Sequence, residues 1–272
     1  MCLIAFALQA NPQWPLVLAS NRDEAHDRPT APLASWTSPR GHTLVSGRDL
    51  RDGGAWLGAS GSGRIAMLTN VRSGTLRSGP RSRGELVTRW LDGDEDFNGY
   101  CGALDLQAQA DRFGGFNLVV GDWARGQWNW LTNRAGGQAG VLQSRALEPG
   151  IYGLSNGALD TPWPKTLALK AAVGAALVDE HSHSFDGLVD SLMPHLLDRT
   201  PAPPETLPET GVGLERETAL SSAFVSLPGY GTRCSAVLAV SAASGSGTSW
   251  RLDFCETTHQ MPPLRLTQSL AW

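Results

Sequence analysis

The sequence predicts an α+β fold in which antiparallel sheets stack with helices outside, and three observations lead there. Apolar strand-like runs come in three blocks separated by helical stretches, without the strict strand–helix alternation that a parallel sheet requires. The first block opens with two short apolar runs joined by turn residues, the pattern of an antiparallel hairpin. With 272 residues, 41% of them hydrophobic and 18% charged, the chain can bury a substantial core. No internal repeat and no composition shift marks a boundary, so one domain over residues 1–272 is expected.

Taken in order, residues 3–9 and LVLAS (16–20) flank NPQWP, where Asn11, Pro12 and Pro15 supply the turn. Cys2 then opens the first strand. From Ala25 to Gly54 the chain turns to Pro, Gly, Ser and Arg, which reads as a long ordered loop. AWLGAS and RIAMLTN follow as strands around a Gly-Ser turn. RSGTLRSGPRSRG is flexible and basic, and leads into SRGELVTRWLDG, where Ser82 followed by Glu85 has capping-box spacing ahead of a helical stripe. That helix and the polar segment after it are expected to end near Arg112. GFNLVVGD, QWNWLTN and GIYGLSN form the second strand block, with Trp128 and Trp130 on one buried face by period-two alternation. Helices are expected over 164–178 and 185–198. A Pro-rich connection, RTPAPPETLPETGVG, precedes the closing strands RCSAVLAV and SWRLDFCE.

The formal charge of −4 gives no overall electrostatic case for nucleic acid or an anionic membrane. The first residues lack a secretory signal's basic flank and cleavage site, and no run approaches the ~18 apolar residues of a membrane span. A cytoplasmic protein without a membrane span is expected. The four cysteines, Cys2, Cys101, Cys234 and Cys255, stand far apart with no C-x-x-C pair, which argues against a zinc site or a disulfide framework. His181 and His183 sit at i, i+2, a spacing that separates the rings on a helix, so no metal site is expected. GTLRSGPRS has P-loop glycine spacing, but Pro80 and Arg81 stand where Lys and Ser/Thr are required.

Cys2 has two readings: a small apolar residue at the mouth of a core strand, or, once Met1 is trimmed, a nucleophile that carries its own base in the α-amino group. SNRDEAHDRP, the densest polar cluster near the start, reads either as a solvated hairpin end or as a site brought beside Cys2 by antiparallel pairing. In the second case Arg22 favours the thiolate and Asp23 orients the α-ammonium group. Asn70 and Asn156 each end an apolar strand, where a turn role is common; beside a nucleophile, their amides suit a developing oxyanion. Tyr230 and Arg233 stand at the entrance to RCSAVLAV, with Arg233 either marking the strand end or placing positive charge beside an anion.

On these residues the chain resembles the NRDE family, also called the transport and Golgi organisation 2 family, named for the tetrapeptide Asn21-Arg22-Asp23-Glu24. The motifs MCLI, LASNRDE, SGRDLRDGGAWLG, LTNVR, SRGELV, GFNLVVGD, PGIYGLSN, LDTPWPK and YGTRCSAVL occur in the family's order over nearly the whole chain. The resemblance implies an N-terminal nucleophile hydrolase fold, a four-layer αββα sandwich, with relatives among bile-salt hydrolases and penicillin V acylases. It implies Cys2 as nucleophile and base, Arg22 and Asp23 as the charged pair beside it, Asn70 and Asn156 as oxyanion donors and Arg233 as electrostatic stabiliser. Asn21, Glu24, Trp56 and Tyr230 stand in the same motifs as candidate ligand-binding residues. Those acylases carry the arginine three positions before the aspartate, whereas Arg22 and Asp23 are adjacent and leave a strand on opposite faces. The activity implied is cleavage of a C–N amide bond in a small acyl-amide, with no cofactor required. The alternative is a haem-trafficking protein that holds haem in the same cleft without turnover.

Overall fold

The computed structural model describes residues 2–74, 79–243 and 249–272. In chain order, β1 (Cys2–Leu8), β2 (Leu16–Ala25), β3 (Thr30–Thr37), β4 (Thr43–Asp49), β5 (Leu57–Ser60) and β6 (Arg64–Asn70) lead to α1 (Gly84–Leu91), α2 (Phe97–Ala103) and α3 (Leu106–Gln109). Next come β7 (Phe116–Asp122), β8 (Gln127–Thr132), β9 (Gln143–Ala146) and β10 (Gly150–Leu154), then α4 (Pro164–Ala176), α5 (Phe185–Leu196) and α6 (Leu214–Ala219). β11 (Ser226–Leu227), β12 (Tyr230–Ala242), β13 (Trp250–Thr258) and β14 (Leu264–Ala271) close the chain.

By their contacts these elements form two compact units, each discontinuous in sequence. One comprises Met1–Asp27, Arg72–Thr75 and Pro149–Ala271; the other comprises Arg28–Val71 and Leu76–Glu148 with Trp272. The first unit holds an antiparallel sheet in the order β10-β1-β2-β12-β13-β14, with β11 added on β12. The second holds an antiparallel sheet in simple sequence order, β3 through β9. The α+β class is as expected, and two antiparallel sheets with two sets of helices are the layer inventory of an αββα fold.

In the first unit β1 is interior, flanked by β10 and β2, and all seven of its residues are buried. This explains why it reads as an unbroken apolar run rather than an alternating one. Leu3, Ala5, Ala7, Val17, Ala19, Val237 and Ala239 form one face and pack under Leu169 and Val173 of α4 and Leu188 and Leu192 of α5. In the second unit Leu44, Ala66, Leu68, Leu118 and Val120 pack under Leu86, Val87, Trp90 and Leu91 of α1. Trp128 and Trp130 are buried, as the alternation predicts.

Several expectations are corrected. The supposed loop between Ala25 and Gly54 contains β3 and β4, whose Gly47 lies under the Trp56 ring and whose chain enters a sheet despite low apolar content. The helical region ends at Arg112, as expected, but no capping box forms on Ser82, because the N-cap position falls to Arg83 without a side-chain bond. β2 does not stop at Ser20 but continues through Ala25, so Asn21, Arg22 and Asp23 are buried strand residues rather than a solvated hairpin end. Pairing with β12 covers them. β9 and β14 form in stretches to which the sequence reading assigns no element. The flexible basic loop falls partly on residues 75–78, outside the described residues, but its Arg72 is buried. His181 and His183 lie exposed in a 3₁₀ turn.

Candidate active site

Strand register places the charged tetrapeptide. Cys2 pairs with Arg22, and Arg22 in turn pairs with Cys234 of β12, so these three residues stand in one row on one face of the sheet. The next row, Leu3, Asn21 and Ser235, points to the face covered by α4 and α5. Asp23 follows on that same face, opposite Thr232. Adjacent residues of one strand thus put Arg22 on the thiol's face and Asp23 on the helix-covered face. Between Thr232 and Cys234 the register shifts, which leaves Arg233 as the extra residue of a β-bulge. A bulge re-aims its side chain out of the ladder: Arg233 Nη1 donates to the carbonyls of Ala25 at 2.6 Å and His26 at 3.1 Å.

Cys2 is buried, and burial pushes its thiol pKa up; the neighbouring Asp23 and Glu24 charges push the same way and Arg22 opposes them. The side chain therefore rests as a thiol and needs a base to become a nucleophile. Glu24 Oε2 lies 3.9 Å from Arg22 Nη2, and the Glu24 side chain is 28% exposed, so this contact leaves it open to solvent. Ser155 donates to the Cys2 carbonyl at 3.3 Å, which ties β10's end to the start of β1.

Asp23 is 1% exposed and accepts from Thr232 Oγ1 at 2.7 Å, while Tyr230 donates its hydroxyl to the Asp23 carbonyl at 3.0 Å. Burial raises the Asp23 pKa, and the positive charge of Lys165 is the largest influence opposing that rise. Burial likewise raises the Tyr230 hydroxyl, with Asp23 and Cys2 adding to the effect. Lys165, in the first turn of α4, is 6% exposed and donates to the carbonyl of Leu220 at 2.8 Å. Burial pushes its ammonium down to about 8, against the pull of Asp23.

A buried ion pair stands in the same unit. Arg72 Nη1 meets Glu217 Oε2 at 2.5 Å, and Glu217 Oε1 accepts from Thr210's backbone N at 2.8 Å and Oγ1 at 2.5 Å. The Arg72 guanidinium lies 5.0 Å from the ring centroid of Trp163, the N-cap residue of α4. Its backbone N–H donates to the Asn156 carbonyl at 2.8 Å, and its Nη2 lies 3.4 Å from Asn156 Oδ1.

Of the residues singled out by sequence, Cys2, Asn21, Arg22, Asp23, Glu24, Asn156, Tyr230 and Arg233 belong to one unit, and Asn70 and Trp56 to the other. Asn21 is committed structurally: its amide donates to the carbonyls of Leu196 at 2.7 Å and Ala223 at 2.9 Å, and its Oδ1 accepts from Ser235 at 2.6 Å. Asn70 ends β6 opposite Phe116, and Trp56 lies over Gly47. Lys165, Arg72 and Glu217 were missed by the sequence reading. For Lys165 a signal existed, since 165, 169, 172/173 and 176 is a helical stripe whose other members are apolar. Among the described residues no cluster of His, Cys, Asp or Glu could hold a metal ion, and no helix is long and apolar enough to cross a membrane.

A family model described as Transport and Golgi organisation 2 matches residues 1–259. The human Transport and Golgi organization protein 2 homolog is 32% identical over 252 residues, 89% of each chain, and the bovine homolog is 33% identical over the same length and coverage. Among solved structures, the C2A mutant of conjugated bile acid hydrolase from Clostridium perfringens is similar, with a TM-score of 0.50 and 7% identity over 97% of this chain and 92% of that one. At that identity the likeness shows the fold, which is that of the N-terminal nucleophile hydrolases.

Proposed function

The chain belongs to the Transport and Golgi organisation 2 family, and from that premise we propose that it hydrolyses a C–N amide bond of a small acyl-amide, with Cys2 as an N-terminal nucleophile. The observation that carries the reading is the row Cys2–Arg22 at the start of β1, with Asp23 one residue away on the opposite face. It is supported by a fold shared with a hydrolase whose mutated residue is itself a second-position cysteine.

In this reading Met1 is removed, and the Cys2 α-amine takes the thiol proton as Sγ attacks the amide carbonyl carbon. Negative charge develops on the carbonyl oxygen, for which the amide of Asn156, in the same unit as Cys2, is the proposed donor. Collapse of the tetrahedral intermediate breaks the C–N bond, and the ammonium returns its proton to the leaving amine. Water, deprotonated by the same α-amine, then cleaves the thioester, so one amide and one water yield one acid and one amine. Arg22 favours the thiolate, Arg233 adds positive charge on the bulge next to Arg22, and Asp23 holds the α-ammonium. Tyr230 fixes the Asp23 backbone, and Glu24, partly exposed beside Arg22, is placed to meet the substrate.

Intact mass and a panel of acyl-amides test this together. The expected result is a mature chain lacking Met1 that releases amine from at least one amide, with release abolished in Cys2→Ala. A chain that retains Met1, or turnover that survives Cys2→Ala, refutes it. Saturable haem binding, seen as a Soret shift, without amide turnover would favour the carrier reading instead.

A further inference from the structure

The unit that lacks Cys2 has a cavity of its own. A groove of about 460 Å³ runs between strands β3 and β4 on one side and helices α1 and α2 on the other, within the roughly 300–1,000 Å³ range of small-molecule sites. Leu44, Tyr100 and Leu104 give it an apolar floor, and Trp36 forms one wall. Glu85, Thr88 and Arg89 on one face of α1, and Asp92 just past its end, form the opposite rim.

Arg48 sits in this groove because β4 alternates. Leu44, Ser46 and Arg48 share one face, on which Leu44 joins the core beneath α1 and Ser46 Oγ accepts from Trp36 Nε1 at 3.1 Å. The Arg48 guanidinium lies over the Trp36 ring, 4.4 Å from its centroid, within cation–π range. Its Nε is buried without a hydrogen-bond partner, and among the described residues no acid pairs with it. A buried, unsatisfied donor on a charged group is expensive and calls for an acceptor.

The acids nearby are already engaged. Glu85 pairs with Arg81 at 2.5 Å and Arg89 at 3.2 Å; Asp92 bonds Ser38 and lies 3.2 Å from His42 Nδ1; Glu95 accepts from the Asp94 backbone N at 3.1 Å and lies 3.9 Å from Arg40. Their charge still bears on what can enter. A dianion would meet three carboxylates with one unengaged cation to hold it, whereas a planar monoanion matches the guanidinium fork and adds only one charge.

We propose that this groove binds a small amphipathic carboxylate, with its carboxyl group on Arg48 and its apolar body over Leu44, Tyr100 and Leu104. The site is separate from the proposed hydrolytic centre, and its test is read as binding, so it stands or falls independently of turnover at Cys2.

Calorimetric titration of the full chain with phenylbutyrate, and with phenylbutanol, phenylbutylamine and inorganic phosphate as matched controls, tests the assignment. Phenylbutyrate is expected to bind saturably and about tenfold or more tighter than phenylbutanol, as one charge-assisted fork implies. Arg48→Gln should erase that difference, and Arg48→Lys, which keeps charge but not the fork, should restore part of it. Thr88→Trp, which fills the groove with Arg48 in place, should abolish binding, and it decides the matter if Arg48→Gln fails to fold. Equal affinity for acid and alcohol, an acid preference that survives Arg48→Gln, or titrations unchanged by Thr88→Trp each overturn the proposal. Phosphate binding tighter than phenylbutyrate overturns the carboxylate assignment.

Discussion

Lys165 offers the sharpest test of the buried charge set around Asp23. Its ammonium is pushed down from 10.5 to about 8 by burial. Below pH 8 it is charged in folded and unfolded chains alike, and the full burial penalty stands. Between pH 8 and 10.5 the unfolded chain binds more protons than the folded one, so stability rises with pH across that window. A depression of this size is worth roughly 3 kcal/mol at about 1.4 kcal/mol per unit. Urea unfolding of the wild type should therefore gain about 3 kcal/mol over Lys165→Met between the two ends of the window. The titration itself is readable because the chain has only two lysines, Lys165 and Lys170. In carbon-13 lysine spectra one Cε resonance should titrate near 8, and Asp23→Asn should move it lower, since the Asp23 charge raises it. Two lysine resonances that titrate together near 10.5, with parallel stability profiles for wild type and Lys165→Met, would refute a buried Lys165 facing Asp23.

Other consequences follow from the same geometry. Glu217→Ala strands Arg72 as a buried, unpaired cation and should cost about 3–5 kcal/mol in denaturant unfolding; Glu217→Gln, which keeps the Thr210 bonds, should cost less. Asn21→Ala should cost about 1–3 kcal/mol, because the Leu196 and Ala223 carbonyls lose their donor, while the alkylation rate of Cys2 stays unchanged; a changed rate would mean that Asn21 acts at the site. Arg22→Gln should raise the Cys2 thiol pKa and Asp23→Asn should lower it, read as opposite displacements of the pH dependence of mass-resolved alkylation at Cys2.

Much of the fold was legible because its signals are local. The β1–β2 hairpin, β5 and β6, β7 and β8, and α4 and α5 all follow from apolar period and turn chemistry. β3 and β4 were not legible, because strands held by the ladders to their neighbours and by a glycine under Trp56 need little apolar content of their own. The same reason hid the continuation of β2 through Asn21, Arg22 and Asp23: polar residues become strand only where a neighbouring strand, here β12, supplies the ladder. For the candidate site, Cys2 and the charged tetrapeptide were visible as residue types, and antiparallel pairing was enough to set Arg22 beside Cys2. Arg72 was not legible, since a buried arginine and an exposed one look alike until its partner Glu217, 145 residues away, is known.

The adjacency of Arg22 and Asp23 departs from the spacing of the acylases the chain resembles, and the sheet gives it a physical meaning. A strand has two faces, and adjacent residues must divide between them. The Cys2 thiol leaves β1 on the face it shares with Arg22, but the Cys2 nitrogen is a backbone atom, lies in the plane of the sheet and adjoins both faces. A mechanism that used only the thiol would want both charged residues on the thiol's side. One that uses thiol and α-amine together can place a cation beside the sulfur and a carboxylate beneath the nitrogen, using two successive residues of the partner strand. Thr232, Tyr230 and Lys165 all bear on Asp23 from the helix-covered side or from β12, and the bulge at Arg233 turns a second cation out of the ladder next to Arg22. The division of charge between faces is thus a reason to look for chemistry at the Cys2 nitrogen as well as at its sulfur.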